Sequence, residues 1–293
     1  MYILQLVIAG LQQGGIIALL SMGLALMFGV LRLVNFAQAD FMMLGMYGVI
    51  VLGAELHTNF VVSSILLALP AFIVGMLVYQ LVIRQVAKAK LASAPEHAQL
   101  LATLGLSLVL QNGSEMIWGA TPRALPSSRS LQVWHLGGLI IDQPRTIGFA
   151  IAVLLGVAML WTLRHTHVGR AVRAAASDRD AASYVGINVR RAYIVTFGIS
   201  ILLSVIVGGI LVTYYPVTPQ TGNDFILLMF TAVIMGGLGN VMGAMAAGLI
   251  LGLVQSLSQL VIPLQLNTAA VFGLFLLLML VRPQGIFGEV TRL

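Results

Sequence analysis

The sequence predicts an all-α, polytopic bundle of transmembrane helices. Three observations carry that expectation. Of its 293 residues, 59% are hydrophobic and only 8% are charged, whereas charged residues make up about 25% of ordinary soluble domains. Mean hydropathy is +1.02. Several uncharged runs, clearest at 3–30, 60–83 and 193–215, have the roughly 20 residues that a bilayer crossing needs.

Nine spans follow in order: 3–30, 41–56, 60–83, 100–119, 147–163, 193–215, 225–241, 243–262 and 265–282. Together they form a single membrane domain over 1–293. The opening MYILQLV lacks the basic cluster of a cleaved leader and reads as the outer end of the first span. The second span ends on Glu55. The seventh runs into Gly236-Gly-Leu-Gly239-Asn240, where Gly239 and Gly243 favour a tight turn or a broken helix.

Charge placement sets the orientation. With the N-terminus outside, one face holds Arg32, Arg84, Lys88, Lys90, Arg164, Arg170, Arg173, Arg179, Arg190, Arg191, Arg282 and Arg292, and the other only Arg123, Arg129 and Arg145. Cytoplasmic loops collect Lys and Arg, so the first face is inner and the C-terminus is cytoplasmic. The net charge of +6 therefore answers to membrane topology and not to nucleic acid. Trp118, Trp161 and the Tyr214–Tyr215 pair fall near span ends, where amphipathic rings prefer to sit.

The outer segment 120–146 contains LQVWHLGGLIIDQ, two β-rich runs around Gly137–Gly138 that read as a hairpin. It reads equally as a contact for an extracytoplasmic partner or as a merely structural hairpin. The inner loop 164–192 is the longest polar island and holds six of the 15 Lys and Arg residues. Gly169 opens a helix-friendly run, Ser177 or Asp178 can cap a second segment, and Gly186 sits where a helix end favours a left-handed residue. Two readings fit this loop: a docking surface and a basic anchor.

Small residues recur four apart at Gly10, Gly14 and Ala18, and again at Ala244, Gly248, Gly252 and Ser256. In lipid, helices associate through close backbone approach, so these rows are read as packing faces. Polar groups inside spans are costly and informative. Gln12 and Gln13 lie in the first span, Asn35, Gln38 and Asp40 at the start of the second, and Glu115 near the outer end of the fourth. Asn35, Gln38 and Asp40 are expected to line a cavity or gate, with Gln12 and Gln13 in the same pathway, whereas Glu115 is expected to reach an interface. N35FAQADFMMLG45 and G239NVMGAMAAG248 echo each other faintly, both at inner-face turns.

No reacting constellation is visible. There is no cysteine, no HExxH, no Walker A and no dinucleotide fingerprint, and His165-Thr-His167 lacks further metal ligands. Catalytic residues, metal and resident cofactor are not expected. A rival reading, a secondary transporter or channel using Asp40, Glu115 or Asp224, has thinner support, since only Glu115 of the three falls within a span and no basic partner faces it.

Five stretches carry a resemblance: GLQQGGIIAL near the start, LVNFAQADFMMLGMY at 33–47, GRAVRAAASDRDAASYVGIN at 169–188, GGLGNVMGA at 236–244 and RPQGIFG at 282–288. In this order they resemble the LivH-type permease subunits of branched-chain amino acid ABC importers. The resemblance implies that 169–188 docks on a separate ATPase, with Arg173, Asp178, Ala182, Gly186 and Ile187 on the coupling loop. It implies a second permease subunit (LivM-like, or the chain itself), two ATP-binding cassette ATPases that bind the ATP, and an extracytoplasmic solute-binding protein. It also implies a bacterial inner membrane location. One departure stands out. Where the family usually reads N-F-A-H-G-E, this chain has Asn35-Phe-Ala-Gln38-Ala-Asp40, which leaves open whether the solute is a branched-chain amino acid, another amino acid, an amide, urea or a small organic acid.

Overall fold

The structure, a computed structural model, describes residues 2–88, 95–125, 133–136, 139–261, 263 and 266–288. Lys90, Arg129, Arg292 and the Gly137–Gly138 turn lie outside the described residues. The elements are α1 (Tyr2–Leu31), α2 (Gln38–Glu55), α3 (Phe60–Val78), a π-helical turn at Tyr79–Ile83, α4 (Arg84–Lys88) and α5 (Pro95–Trp118). There follow β1 (Val133–Leu136), β2 (Leu139–Asp142), α6 (Gln143–His165), α7 (His167–Ser177), α8 (Arg179–Tyr184), α9 (Val189–Leu211), α10 (Thr221–Gly236), α11 (Val241–Leu257) and α12 (Asn267–Val281).

Each of the nine expected spans falls on a helix. Among the described residues, six helices are long and apolar enough to cross a membrane: 2–31, 60–86, 97–118, 143–165, 189–211 and 241–260. α10 and α12 are apolar but shorter, and the 18-residue α2 carries Asp40 and Glu55. Helix boundaries shift from the expected ones where side chains cap. Asp142 accepts from the Arg145 amide at 3.2 Å and starts α6 at Gln143 rather than 147. Asn188 accepts from Arg191 N at 2.9 Å and starts α9 at Val189 rather than 193. Such caps satisfy amides that a helix start leaves orphaned.

α1 and α9 form the middle of the bundle, with most of their residues buried. α1 packs antiparallel on α11, and the two small-residue rows face each other. A Cβ on Gly10 would lie 3.0 Å from Leu253 Cα, and one on Gly14 3.0 Å from Leu249 Cα. The Ser256 hydroxyl donates to Leu6 O at 2.6 Å, which adds a polar tie where lipid offers no competing water. Gly243 is equally enclosed, against Gly236 and Phe287. α9 meets α3 where Gly75 and Gly198 pass 2.9 Å apart, counted from an added Cβ, and meets α2 at Gly45 and Gly208. Gly239 touches Gly29 near the end of α1.

β1 and β2 pair antiparallel from Val133↔Asp142 to Leu136↔Leu139. Arg123 and Val217 exchange backbone hydrogen bonds at 2.9 and 2.7 Å, joining the segment after α5 to the one before α10. Trp118 stacks on Tyr47 with ring centroids 4.5 Å apart. The expectation that residues 35–45 form an inner-face turn is corrected. Asn35, Gln38 and Asp40 are no more than 1% exposed, because the chain after α1 turns back into the bundle instead of running along its face.

Candidate functional site

α1 ends at Leu31, and Arg32 takes a left-handed φ of 52°. The following non-helical residues re-enter the bundle, so α2 starts beside Gly23, where an added Cβ would meet the Gln38 amide at 3.1 Å. Gly23 lies eight residues back along α1, or about 12 Å from its end at the usual helical rise. The Gln38 amide is bonded at both ends. Its Nε2 donates to Ser204 Oγ at 2.7 Å and Ser200 O at 3.2 Å, and its Oε1 accepts from Ser200 Oγ at 3.0 Å. Asn35 Oδ1 accepts from Ala37 N at 3.1 Å, which stabilises the turn into α2, and its Nδ2 is buried without a partner.

Asp40 follows in the first turn of α2. Its Oδ1 accepts from Gln111 Nε2 at 2.9 Å, and the Ser107 side chain also bonds to the carboxylate. Gln111 donates as well to Asn223 Oδ1 at 3.2 Å. The first turn of α10 lies directly against that of α2: a Cβ on Gly222 would sit 3.2 Å from Asp40 N and 2.5 Å from Asp40 Oδ1. Only a glycine permits this approach. Two helix N-termini therefore converge on one carboxylate. Each carries partial positive charge, which is the physical reason a buried Asp40 is tolerated with only neutral side-chain partners. Half-helices meeting this way inside a bundle are a recurrent layout for solute sites in transporters.

From this junction a polar track runs to the surface. Asn223 is exposed, Gln220 donates to Glu115 Oε2 at 3.5 Å, and the Tyr215 hydroxyl donates to Asp224 Oδ2 at 3.1 Å. Glu115 itself is exposed. The structure thus brings Asn35, Gln38 and Asp40 together, but not Gln12 or Gln13. Gln12 lies 11 residues beyond Gly23 on α1, about 16 Å away along the axis. It is buried against α6, where its Nε2 donates to Thr146 Oγ1 at 2.9 Å. Gln13 is half-buried. Sequence reasoning missed Ser107, Ser200, Ser204, Gly222 and Asn223. The hydroxyls at 200 and 204, four apart in an apolar run, were the available signal.

The loop between α6 and α9 is built differently. Thr166 Oγ1 accepts from Gly169 N at 3.0 Å, so Thr166 caps α7 and Gly169 lies inside its first turn. α7 buries Gly169, Val172 and Ala175 and exposes Arg173. Of the two residues expected to cap the second segment, it is Asp178 that does so, its Oδ1 accepting from Asp180 N and Ala181 N, both at 2.9 Å. Ala182 is buried and its carbonyl accepts from Ile187 N at 3.0 Å. Gly186, at φ 83°, closes α8 in the left-handed conformation, with open space where a Cβ would be. The tip presents Tyr184 and Val185, 89% and 75% exposed.

These features define a class: a multi-pass helical membrane protein with a polar junction inside the bundle and a self-capped loop between α6 and α9. The chain belongs to the family described as branched-chain amino acid transport system permease components, whose model matches residues 6–281. It is 31% identical to the high-affinity branched-chain amino acid transport system permease protein LivH of Salmonella typhimurium, over 99% of this chain and 96% of that one. It is 29% identical to the permease protein BraD of Pseudomonas aeruginosa, over 98% and 96%. It is 25% identical to a probable LivH of Methanocaldococcus jannaschii, over 83% and 76%. No solved structure matches the chain.

Proposed function

We propose that this chain is one membrane-spanning half of an ATP-binding-cassette importer that carries branched-chain amino acids or closely related small solutes into the cell. The observation that carries the reading is the match of residues 6–281 to a permease family. The chain acts with separate ATPases, an extracytoplasmic binding protein and a second permease subunit, either LivM-like or a copy of itself. It crosses the bacterial inner membrane nine times, N-terminus out, with loop 164–192 in the cytoplasm. The 12-to-3 asymmetry of Lys and Arg supports that orientation.

In this reading the ATPase grips the α8 tip, and ATP binding and hydrolysis supply differential stabilisation of the inward- and outward-facing states. α7 transmits the movement, since it packs on α6, α9 and α1. The junction at Asp40 is the internal seam. Opening a path there requires α2, α5 and α10 to part, and the Asp40–Gln111–Asn223 bonds span all three. The chain performs no bond chemistry of its own.

The test places bulk on the tip. Gly186→Arg should abolish ATP-dependent uptake and ATPase association while membrane insertion stays normal. Gly186→Asn, which tolerates the left-handed conformation, should retain most uptake and so separates bulk from backbone strain. Normal uptake by Gly186→Arg would defeat the docking role.

A further inference from the structure

A cavity of about 920 Å³ opens beside the loop, bounded by the ends of α1 and α6, by α7, by the turn 237–240 and by residues 283–288. Its chemistry is divided. Leu26 and Val30 of α1, with Leu160 and Leu163 of α6, supply apolar wall, and Arg32, Arg164 and Arg173 supply three guanidinium groups. No Asp or Glu is among the described lining residues. Arg164 and Arg173 meet neutral partners. Arg164 Nη2 lies 3.5 Å from Met242 Sδ, and Arg173 Nη2 lies 3.5 Å from Arg164 O. Among the described residues the one ion pair is Arg145 with Asp142, outside this cavity. None of residues 178–187 lines it, so the α8 tip remains free for a partner.

We propose that this cavity binds the headgroup of an anionic phospholipid from the inner leaflet. Like charges held around one space repel unless an anion fills it, and guanidinium forks suit phosphate oxygens. A free phosphate would satisfy the arginines but leave the apolar wall wet. A phospholipid satisfies both, its phosphodiester at the arginines and its acyl chains along α1 and α6. Basic pockets between membrane helices on the cytoplasmic side bind lipid headgroups on this logic. The inference rests on the proposed orientation, in which this face is cytoplasmic. It makes the bound lipid a neighbour of α7 and ties loop position to membrane composition.

The test uses the whole importer, purified with its own partners and exchanged into discs of phosphatidylcholine doped with phosphatidylglycerol. Mass spectrometry reads the lipid that each complex retains after delipidation. The expected result is selective retention of phosphatidylglycerol, undisturbed by millimolar inorganic phosphate. The variant Arg32→Gln/Arg164→Gln/Arg173→Gln should lower retention about tenfold or more, while Arg282→Gln, outside the cavity lining, should not change it. If the triple variant does not assemble, Arg32→Gln and Arg164→Gln alone should each lower retention severalfold. Equal retention by the arginine variants and wild type would overturn the site. Displacement by inorganic phosphate would overturn the lipid in favour of a soluble anion. Retention only after the ATPases are stripped away would mean that those subunits fill the cavity. Gly186→Arg should keep the lipid even as it loses the ATPase, so failure of the docking reading and failure of this one give different results.

Discussion

The Asp40 junction and the loop 166–188 are both polar interruptions of an apolar chain, and they are held in opposite ways. In the loop, each stabilising bond is local: Thr166 to Gly169, Asp178 to Asp180 and Ala181, Ala182 to Ile187. At the junction the bonds join distant segments: Gln38 to Ser200 and Ser204, Asp40 to Gln111, Gln111 to Asn223. A locally capped loop keeps its shape while it moves as a body, which is what a lever needs. A junction whose central bonds are tertiary contacts exists or dissolves with the relative positions of α2, α5 and α10, which is what a gate needs.

The sharpest way to break the contrast is steric. Gly222→Val places a branched side chain where Asp40 Oδ1 and the Asp40 amide already stand. Overpacking of this kind costs about 1–3 kcal/mol, and here the obstacle includes backbone, so the upper end is expected. Detergent-solubilised protein should melt several degrees lower, and uptake should vanish. The matched substitution in the loop, Gly186→Ala, meets open space and costs only the strain of a left-handed alanine, about 1 kcal/mol. Equal melting losses from the two variants would show that the junction is no tighter than the loop.

The same contrast explains what the sequence disclosed. Helix class was legible, and so were the positions of the helices on which the nine expected spans fall, because apolar run length is a local quantity. So were Gly186 and, as one of two candidate caps with Ser177, Asp178, whose local roles depend on neighbours two to five residues away. The junction was not legible as a junction. Asn35, Gln38 and Asp40 stood out as polar groups at a span start, but Gln38 and Ser200 lie 162 positions apart, and no periodicity reports such a pairing. Gln12 shows the converse. It looked like part of the same pathway because it is polar in a span, yet its partner is Thr146 of α6. Polarity marks a residue that needs a partner without saying where the partner is.

A chemical cut at the junction should have an intermediate effect. Asp40→Ala removes the acceptor for Gln111 and the negative charge between two helix N-termini. A buried donor deprived of one partner costs about 1–3 kcal/mol, softened here because Gln111 still reaches Asn223 and Ser107. Asp40→Asn keeps an acceptor oxygen and loses only the charge, so it should melt closer to wild type. If the carboxylate works as part of the gate, both variants should transport poorly although Asn preserves the fold. Full uptake by Asp40→Asn would reduce the residue to a packing and hydrogen-bonding role.

The smallest effect belongs to the loop. Asp178→Ala deletes a cap that satisfies two amides, and such caps are worth about 1 kcal/mol. α8 is only six residues long and cannot hold itself together without its ends, since a short helix gains too few bonds to offset its nucleation cost. The loss should therefore appear as local opening: faster amide exchange at Asp180, Ala181 and Ile187, with α7 and the bundle unchanged. Global melting should hardly move, because α8 buries only Ala182. Uptake should fall in proportion to the time the tip spends unformed, and Asp178→Asn, still a good cap, should restore it. Asp40→Asn offers no such rescue, because what Asp40 supplies beyond an acceptor is charge. A capping substitution that repairs one region and fails in the other would separate a lever made by local geometry from a gate made by distant contacts.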